Sequence, residues 1–392
     1  MADSISRGLE GVIADETALA RVDGAAGELY YRQHPIEHIA GERSFEETAS
    51  MLLQGSFPSA DELRVFLEVW AEGGRLPPAL KAVLPLAVAS GAPVMQVLQS
   101  LVALSGSRPS LVPRARRVTE ADGSKKSVVE DLAAQRRELV LLMGRVPALI
   151  AAADRLSRGL EPLEPRADLR PMASFLCMFH GQESPAEDVR AFEVAELLQL
   201  EHGFNASTFT ARVVGSTLAP LDACLSAAIG ALHGHLHGGA DEAAFRMARD
   251  EVAGPERAEA FVAGALEQGR KIMGMGHRVY KAVDPRARIL KKMAAELAER
   301  KGGDALRIFA TLEAVEQAMA RRMAEAGKAI YPNVEFYKGA VFHALGIPPE
   351  YFTAMFVLAR VPGWGAHVLE LWSDHRLYRP KARYVGPAPA TA

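Results

Sequence analysis

Several histidines of this sequence stand beside glycine, an arrangement that suits side chains acting on a ligand. Three of them are His202 in Glu-His-Gly-Phe-Asn, His237 in Leu-His-Gly-Gly and His277 in Gly-Met-Gly-His-Arg-Val-Tyr. Glycine lets the backbone approach a ligand closely, and histidine can donate or accept a proton near neutral pH. We therefore predict that these imidazoles are catalytic or ligand-binding groups on loops.

A metal site is a second interpretation of the same region. His233, His235 and His237 alternate along the chain, and alternate residues of a β-strand share one face. On a helix the same three side chains would diverge, and no cysteine or carboxylate follows at a usual ligand spacing. The metal interpretation therefore rests on composition alone.

Two arginines stand where a carboxylate ligand would need them. Asp284 and Pro285 form a helix start, with the aspartate as the cap and the proline in the first position. Arg286 then projects from the positive end of that helix, where a guanidinium fork suits a carboxylate. Arg360 lies in the apolar stretch Val-Leu-Ala-Arg-Val-Pro-Gly-Trp, where a lone cation needs an anionic partner.

Helices must position most of these residues, because apolar side chains recur at spacings of three and four along much of the chain. The clearest helical segments are 135–160, 188–200, 255–273, 284–300 and 312–326. An earlier helix begins at Ser44, which forms a capping box with Glu47, and it stops at Gly55. No alternation of strands and helices indicates a parallel sheet, so we predict a mainly α fold.

Two segments depart from the helical pattern. Residues 11–17 and 28–36 predict a short two-stranded element, with Asp23-Gly24 as turn material. Residues 105–127 are polar, basic and rich in proline, glycine and serine, which predicts an exposed or mobile loop. The longest uncharged run, Leu84 to Leu104, contains proline and glycine and predicts a buried helix pair rather than a membrane span.

Length and composition limit the class of protein. At 392 residues, two domains are the natural expectation. A net charge of −3 gives no reason to expect nucleic-acid binding, and the first residues lack the layout of a signal peptide. Cys177 and Cys224 lie in apolar segments, which favours reduced, packed cysteines in a cytoplasmic protein. No membrane partner is expected, since the longest uncharged run predicts buried helices.

Seven long motifs run in order along nearly the whole chain. They are GLEGVIADET, SFEETASMLLQG, EHGFNASTFTAR, LHGGADEA, GMGHRVYKAVDPRA, YPNVEFYKG and RLYRPKARYVGP. In these motifs the sequence resembles the citrate synthase family, and its compact length is similar to that of the short, dimeric members. The resemblance implies a large helical domain of residues 1–238 plus 347–392. Residues 239–346 would form a smaller, mobile helical domain that closes over the active site.

The resemblance also implies a condensation of acetyl-CoA with oxaloacetate and hydrolysis to citrate and CoA, as in the tricarboxylic acid cycle. His237 would stabilise the enol or enolate of the thioester, His277 would polarise the ketone, and His202 would help to hold oxaloacetate. This chemistry is coherent, because a thioester methyl loses its proton when a donor meets the developing oxyanion while a base acts. No metal or redox cofactor is expected.

The resemblance extends to the groups that bind the substrates. Arg286 and Arg360 match carboxylate-binding arginines, and Arg379 matches one that each subunit of a homodimer supplies to the other subunit's site. Three residues close to His277 would contact coenzyme A: Met275 and Gly276 in the loop around the adenine, and Lys281 at a phosphate.

One position departs from the family pattern. The catalytic base of the family is an aspartate in a Pro-Asn-Val-Asp segment, and the matching residue here is Glu335, which reaches one methylene further. The change is compatible with a slow citrate synthase, with a 2-methylcitrate synthase or other acyl-CoA condensing enzyme, or with a non-catalytic relative that binds CoA or a dicarboxylate. His235 and Asp241 are two smaller departures, and the aspartate is expected to add negative charge near the base.

Overall fold

Helices make up most of the fold, as predicted. The computed structural model describes residues 5–106, 111–120, 122–276, 280 and 282–387, and this part of the chain contains sixteen α-helices. The first ten are α1 (Ile36–Glu42), α2 (Phe45–Gln54), α3 (Ala60–Gly74), α4 (Pro78–Ala89), α5 (Val94–Ala103), α6 (Leu132–Ser157), α7 (Pro171–His180), α8 (Ala186–Leu197), α9 (Ala206–Gly215) and α10 (Leu221–His233). The others are α11 (Ala240–Arg246), α12 (Ala258–Glu267), α13 (Pro285–Lys301), α14 (Gly303–Glu325), α15 (Val334–Ala344) and α16 (Phe352–Ser373).

A three-stranded antiparallel sheet lies near the N-terminus. Its strands β1 (Ala20–Asp23), β2 (Glu28–Tyr31) and β3 (His34–Pro35) pair in that order. The predicted strand over residues 11–17 is wrong, because those residues are exposed and pair with no other strand, and β1 begins only at Ala20. The second predicted strand, over residues 28–36, is confirmed only as far as Tyr31, because the chain then turns at residues 32–33 and returns as β3, antiparallel to β2.

A second sheet corrects the prediction of a loop over residues 105–127. Strands β4 (Ala115–Thr119) and β5 (Lys125–Val129) form an antiparallel hairpin. Its side chains are mostly exposed, so the sequence lacks the buried face that would mark a strand. The two strands instead satisfy each other's backbone hydrogen bonds, which needs no apolar pattern.

Helix α16 forms the centre of the fold. Its side chains are buried all round from Phe352 to Val368, as expected of a helix that lacks a solvent-facing side. It packs against α2, α6, α8, α9 and α10, and Trp364 and Trp372 are fully buried within it. Because Arg360 belongs to this helix, its guanidinium is inside the protein rather than at the surface.

Capping chemistry sets the helix ends that the sequence predicts best. Ser44 Oγ accepts from the backbone N–H of Glu47 at 3.2 Å, and the glutamate carboxylate accepts from the backbone N–H of Ser44 at 2.9 Å. Gly55 then ends α2 with a left-handed φ of +97°. Asp284 caps α13 by accepting from the backbone N–H of Arg286 at 3.0 Å. These predicted boundaries are confirmed.

Helices α4 and α5 are the predicted pair at the longest uncharged run, and residues 90–93 separate them. The prediction that the pair is buried is wrong for α4, in which only Leu80 and Leu84 are buried and Leu86 is 72% exposed. Among the residues that the structure describes, none of the helices combines the length and the apolar character that a membrane span requires. Helices α11 to α15 pack mainly against one another, in the region predicted as the small domain. The domain boundaries themselves stay a prediction.

Arg212 of α9 fixes both ends of the chain to the core. Its guanidinium is buried and lies 2.7 Å from the carboxylate of Asp15, 3.0 Å from that of Glu370 and 2.9 Å from the hydroxyl of Tyr378. Tyr378 also donates to Asp15 at 2.6 Å. The N-terminal segment and the segment that follows α16 are therefore held at one place.

Candidate active site

His237 lies in a turn between α10 and α11, beside the N-terminus of α9. The backbone N–H of Ser207 donates to His237 Nε2 at 3.3 Å, and Ser207 Oγ lies 2.7 Å from the same nitrogen. Because Nε2 accepts the backbone bond, the ring proton of the neutral imidazole is on Nδ1. Trp364 Nε1 donates to Ser207 Oγ at 3.0 Å and holds that hydroxyl in place. The surrounding residues therefore present His237 as a donor through Nδ1.

The electrostatic environment keeps His237 uncharged. Burial, and after it the positive charge of Arg360, lowers the pKa of His237 to about 4. The backbone N–H at the start of α9 acts in the same direction, because helix N-termini disfavour cations. A neutral imidazole held in this way can donate its Nδ1 proton to an oxygen that gains negative charge during a reaction.

The metal interpretation of the histidine tract is contradicted. Residues 234–239 form a turn rather than a strand, and His233 and His235 are exposed while His237 is partly buried. Within the described ranges, no group of three or more histidine, cysteine, aspartate or glutamate residues is arranged to hold a metal ion. The three imidazoles fail to converge because the turn gives them no common face.

Glu335 lies in the first turn of α15 and is partly buried, so it is not a surface carboxylate. Its Oε1 accepts from Gln199 Nε2 at 3.4 Å. Burial raises the pKa of Glu335, and the positive charges of Arg286 and Lys338 oppose that rise. A carboxylate whose pKa is raised is a stronger base once it is ionised, which suits proton abstraction from carbon.

Arg286 and Arg360 are both buried, with 3% and 2% of their surface exposed. Arg286 forms a two-pronged contact with Asp284, from Nε to Oδ1 at 3.0 Å and from Nη2 to Oδ2 at 2.8 Å. Arg360 Nε donates to the backbone carbonyl of Gln199 at 2.6 Å, and Glu201 supplies the negative charge that the sequence predicted near it. The two guanidinium groups are therefore held rigidly, as a carboxylate-binding site requires.

The side chain of Phe356 connects the groups that the sequence singled out. Its ring centre lies 6.2 Å from the His237 ring, 5.0 Å from Cζ of Arg360 and 4.4 Å from Nζ of Lys338, which follows Glu335 by one turn. The structure thus brings His237, Arg360 and the first turns of α15 around one aromatic ring.

His202 joins the same region through Tyr280. His202 Nε2 lies 3.1 Å from the Tyr280 hydroxyl, and the Tyr280 ring centre lies 5.9 Å from Cζ of Arg286. The predicted oxaloacetate contacts His202 and Arg286 are therefore connected through one buried ring. The predictions for His277 and Lys281 lie outside the described residues.

The loop predicted to surround the adenine of coenzyme A packs beside the candidate base. Gly276 donates to the backbone carbonyl of Tyr331 at 2.8 Å, and Asn333 donates to that of Gly274 at 2.9 Å. Gly274 has a φ of +76°, and a Cβ there would lie 2.8 Å from the Phe336 side chain, so the close approach requires glycine. Met275, between the two glycines, therefore lies beside Pro332, two residues before α15 begins.

Arg379 lies apart from this cluster. It is exposed on the segment that follows α16, and its guanidinium donates to the carbonyl of Pro380 at 2.9 Å. Over residues 5–106, 111–120, 122–276, 280 and 282–387, no hydrogen bond or ion pair connects Arg379 to the groups around Phe356. Its role as a group supplied to another subunit stays a prediction.

Three polar residues of the site were missed from the sequence as functional candidates. Ser207 lies inside the motif EHGFNASTFTAR. Gln199 interrupts the leucine run that follows α8, and Lys338 interrupts the apolar run of α15, which is the signal that could have found these two residues. Lys338 also corrects the expectation for Asp241. The two side chains are fully buried and 2.8 Å apart, so the positive charge of the lysine balances the negative charge of the aspartate.

Comparison with known proteins decides the family. A family model described as "Citrate synthase, C-terminal domain" matches residues 8–381. The chain belongs to the citrate synthase family. It is 39% identical to citrate synthase of Deinococcus radiodurans, over 98% of this chain and 96% of that one. It is 35% identical to 2-methylcitrate synthase of Shewanella oneidensis, over 97% and 95% of the two chains.

Solved citrate synthase structures share the fold. The crystal structure of citrate synthase from Pyrobaculum aerophilum superposes with a TM-score of 0.88 at 35% identity, covering 99% of this chain and 94% of that one. The citrate synthase of Thermoplasma acidophilum, in a ternary complex with carboxymethyl coenzyme A and oxaloacetate, gives a TM-score of 0.87 at 30% identity, with 99% and 98% coverage. The predicted family and its acyl-transferring enzyme class are confirmed.

Proposed function

We propose that this protein condenses acetyl-CoA with oxaloacetate and hydrolyses the product to citrate and CoA. The observation that carries the proposal is the convergence around Phe356 of a neutral imidazole, a buried guanidinium and the helix turn that bears a carboxylate. The relative from Thermoplasma acidophilum, which binds oxaloacetate and a coenzyme A thioether, supports the same substrate classes.

The first step is the removal of a proton from the methyl group of acetyl-CoA. Glu335 accepts the proton, and the electrons of the C–H bond move toward the thioester carbonyl. His237 donates its Nδ1 hydrogen to the carbonyl oxygen as negative charge develops there. Because His237 is neutral, it stabilises the enolate through the hydrogen bond from its Nδ1–H rather than through a positive charge.

The second step joins the two substrates. The enolate carbon attacks the ketone carbon of oxaloacetate, whose carboxylates are held by Arg286 and Arg360. The C=O π bond of the ketone opens and its oxygen takes up a proton to become the hydroxyl group of citryl-CoA, which balances the proton removed by Glu335. His277 keeps its predicted role of polarising that ketone. Water then cleaves the thioester, the C–S bond breaks, and CoA leaves as the thiol. Each step is a proton transfer or a carbonyl addition, so the proposed chemistry uses no metal or redox cofactor.

Thiol release tests the proposed function directly. We expect free CoA to form when acetyl-CoA and oxaloacetate are mixed with the protein, measured with a thiol reagent, and citrate to form in equal amount. Omission of oxaloacetate is the control and should stop the release. Faster turnover of propionyl-CoA would favour the 2-methylcitrate reaction, because pocket volume discriminates between acyl groups. Absence of release with acetyl-, propionyl- and longer acyl-CoA would contradict the proposal.

We also propose that the active form is a homodimer in which Arg379 of each subunit completes the other site. Support comes from the segment that carries this arginine, where Leu377, Tyr384 and Val385 are 58%, 76% and 87% exposed. Apolar side chains grouped on one segment indicate a surface that another chain covers.

A cytoplasmic location is also part of the proposal. Cys177 and Cys224 are both buried and unpaired, as expected in a reducing compartment.

Mixed dimers test whether Arg379 acts across the interface. Glu335→Gln and Arg379→Ala subunits, each inactive as a homodimer, are co-expressed with different tags and purified as heterodimers. One site then combines an intact Glu335 with an intact Arg379 from the other chain, so we expect about half of the parent activity to return. If Arg379 served its own chain, each site would keep one defect and the heterodimer would stay inactive, which would contradict the proposal.

A further inference from the structure

A lysine is buried directly behind the candidate base. Lys338 follows Glu335 by one turn of α15, and its side chain is fully buried. Its Nζ lies 2.8 Å from Oδ2 of Asp241 in α11, which is also fully buried. Lysine is rarely buried without such a partner, because an unpaired ammonium group loses its hydration. The pair therefore belongs to the interior of the site.

Gln199, two residues after α8, connects this ion pair to the base. Lys338 Nζ donates to Gln199 Oε1, and Gln199 Nε2 donates to Glu335 Oε1 at 3.4 Å. An ammonium group has only donors, so the contact with Lys338 fixes the amide oxygen on its side and turns the NH₂ group toward Glu335. Arg360 holds the backbone carbonyl of Gln199, which keeps the amide at this position.

Charged groups reach this region from every helix packed around α15. They are Asp284 and Arg286 at the start of α13, Arg360 of α16, Asp241 of α11, Glu196 of α8 and, at Tyr337, Glu316 of α14. Burial raises the pKa of Glu196 well above its ordinary value, with Lys338 opposing the rise and Asp241 adding to it. Glu196 thus keeps its proton to a higher pH than an ordinary glutamate, and Asp241 is the carboxylate that balances Lys338.

We propose that Lys338 is a positioning residue for Glu335, acting through Gln199 and through its own positive charge. The inference rests on the proposed function, in which Glu335 is the base. By holding Gln199, the lysine keeps one N–H aimed at the carboxylate, and its ammonium group favours the ionised form from one turn away. Without Lys338 the amide is released and Asp241 becomes an unbalanced buried charge, so Glu335 holds its proton more firmly.

The test compares the pH profiles of kcat/KM for two substitutions that break the same ion pair. The acid limb of such a profile is the fall of kcat/KM at low pH, where Glu335 becomes protonated. Lys338→Met keeps an unbranched side chain but removes the charge, so the acid limb should move to higher pH by about one unit. Asp241→Asn leaves Lys338 charged, so the limb should stay in place or move to lower pH. If Lys338 were merely structural, both variants would lose stability and neither would move the limb.

Two further variants separate charge from folding. Lys338→Met/Asp241→Asn removes both buried charges, and we expect it to unfold close to the parent Tm while its acid limb stays raised. Lys81→Met is the matched control, since it removes a lysine that pairs with Glu164 at the surface, 2.5 Å away. Circular dichroism checks the fold of each variant. An acid limb at the parent position in the folded double variant would overturn the proposal.

A measurement without turnover separates this inference from the proposed function. Glutamate labelled with ¹³C at Cδ allows the Glu335 carboxyl to be titrated by NMR, with its resonance assigned from the Glu335→Gln variant. We expect its pKa to rise by about one unit in Lys338→Met, whether or not acetyl-CoA is turned over. An unchanged titration would refute the role of Lys338. A shifted titration in a protein without turnover would support that role and count against the proposed function alone.

Discussion

Glu335→Gln lowers kcat by about 10²–10⁴-fold and leaves the KM for oxaloacetate close to the parent value. The amide keeps the size of the side chain but has no lone pair basic enough to take a proton from a methyl group. Arg286 and Arg360 are untouched, so binding of the dicarboxylate is retained. Steady-state kinetics on the folded variant measure both quantities.

Glu335→Asp is the matched variant, because it keeps the charge and shortens the side chain by one methylene. Gln199 meets the longer acid at 3.4 Å, so the shorter one loses that contact and lies roughly 1 Å further from the substrate methyl. We expect about a hundredfold fall in kcat. A higher kcat for Glu335→Asp than for the parent would contradict a site shaped for glutamate. A parent-like kcat for Glu335→Gln would show that Glu335 is not the base.

His237→Ala lowers kcat by about 10²–10³-fold, the effect of losing one donor at a developing oxyanion. The reason is the bond from the Ser207 backbone to Nε2, which leaves Nδ1 as the donor toward the thioester. His235→Ala is the control, because this neighbouring imidazole is exposed and should be replaceable without loss. Equal kinetics for the two variants would show that His237 has no special part in the reaction.

The lowered pKa of His237 has a second measurable effect. In the unfolded chain His237 has the ordinary histidine pKa of 6.5, whereas in the folded protein burial and the charge of Arg360 lower its pKa to about 4. The stability contributed by neutral His237 is therefore complete above pH 6.5 and is lost as the pH falls toward 4. Urea unfolding should show a larger loss between pH 7 and pH 5 for the parent than for His237→Ala.

Local chemistry made part of the fold predictable from sequence. The start of α2 at Ser44 and that of α13 at Asp284 depend on side chains within three residues of the cap, so short motifs contain all the information. The arginine at the start of α13 and the one inside α16 were predictable for a similar reason. A cation in an apolar or capped setting needs a nearby anion, whatever the rest of the fold.

Long-range pairing made the rest unpredictable. The hairpin of β4 and β5 has almost no buried face, so its strands have no hydrophobic alternation to reveal them. Gln199 and Lys338 are 139 residues apart, and only the packing of α8 against α15 brings them together. No property of either residue alone indicates its partner, and the same holds for Lys338 and Asp241.

The attachment of both chain ends to Arg212 has a consequence for the proposed exchange between subunits. Tyr378 is fixed by this guanidinium and by Asp15, and Arg379 is the very next residue. Because Tyr378 is held in place, the Arg379 guanidinium can occupy only a small volume around it. A group confined in this way has a high effective concentration at any active site that it can reach. In the proposed dimer, Asp15 of the N-terminal segment would therefore help to position Arg379, although it is far from the other site residues in the sequence.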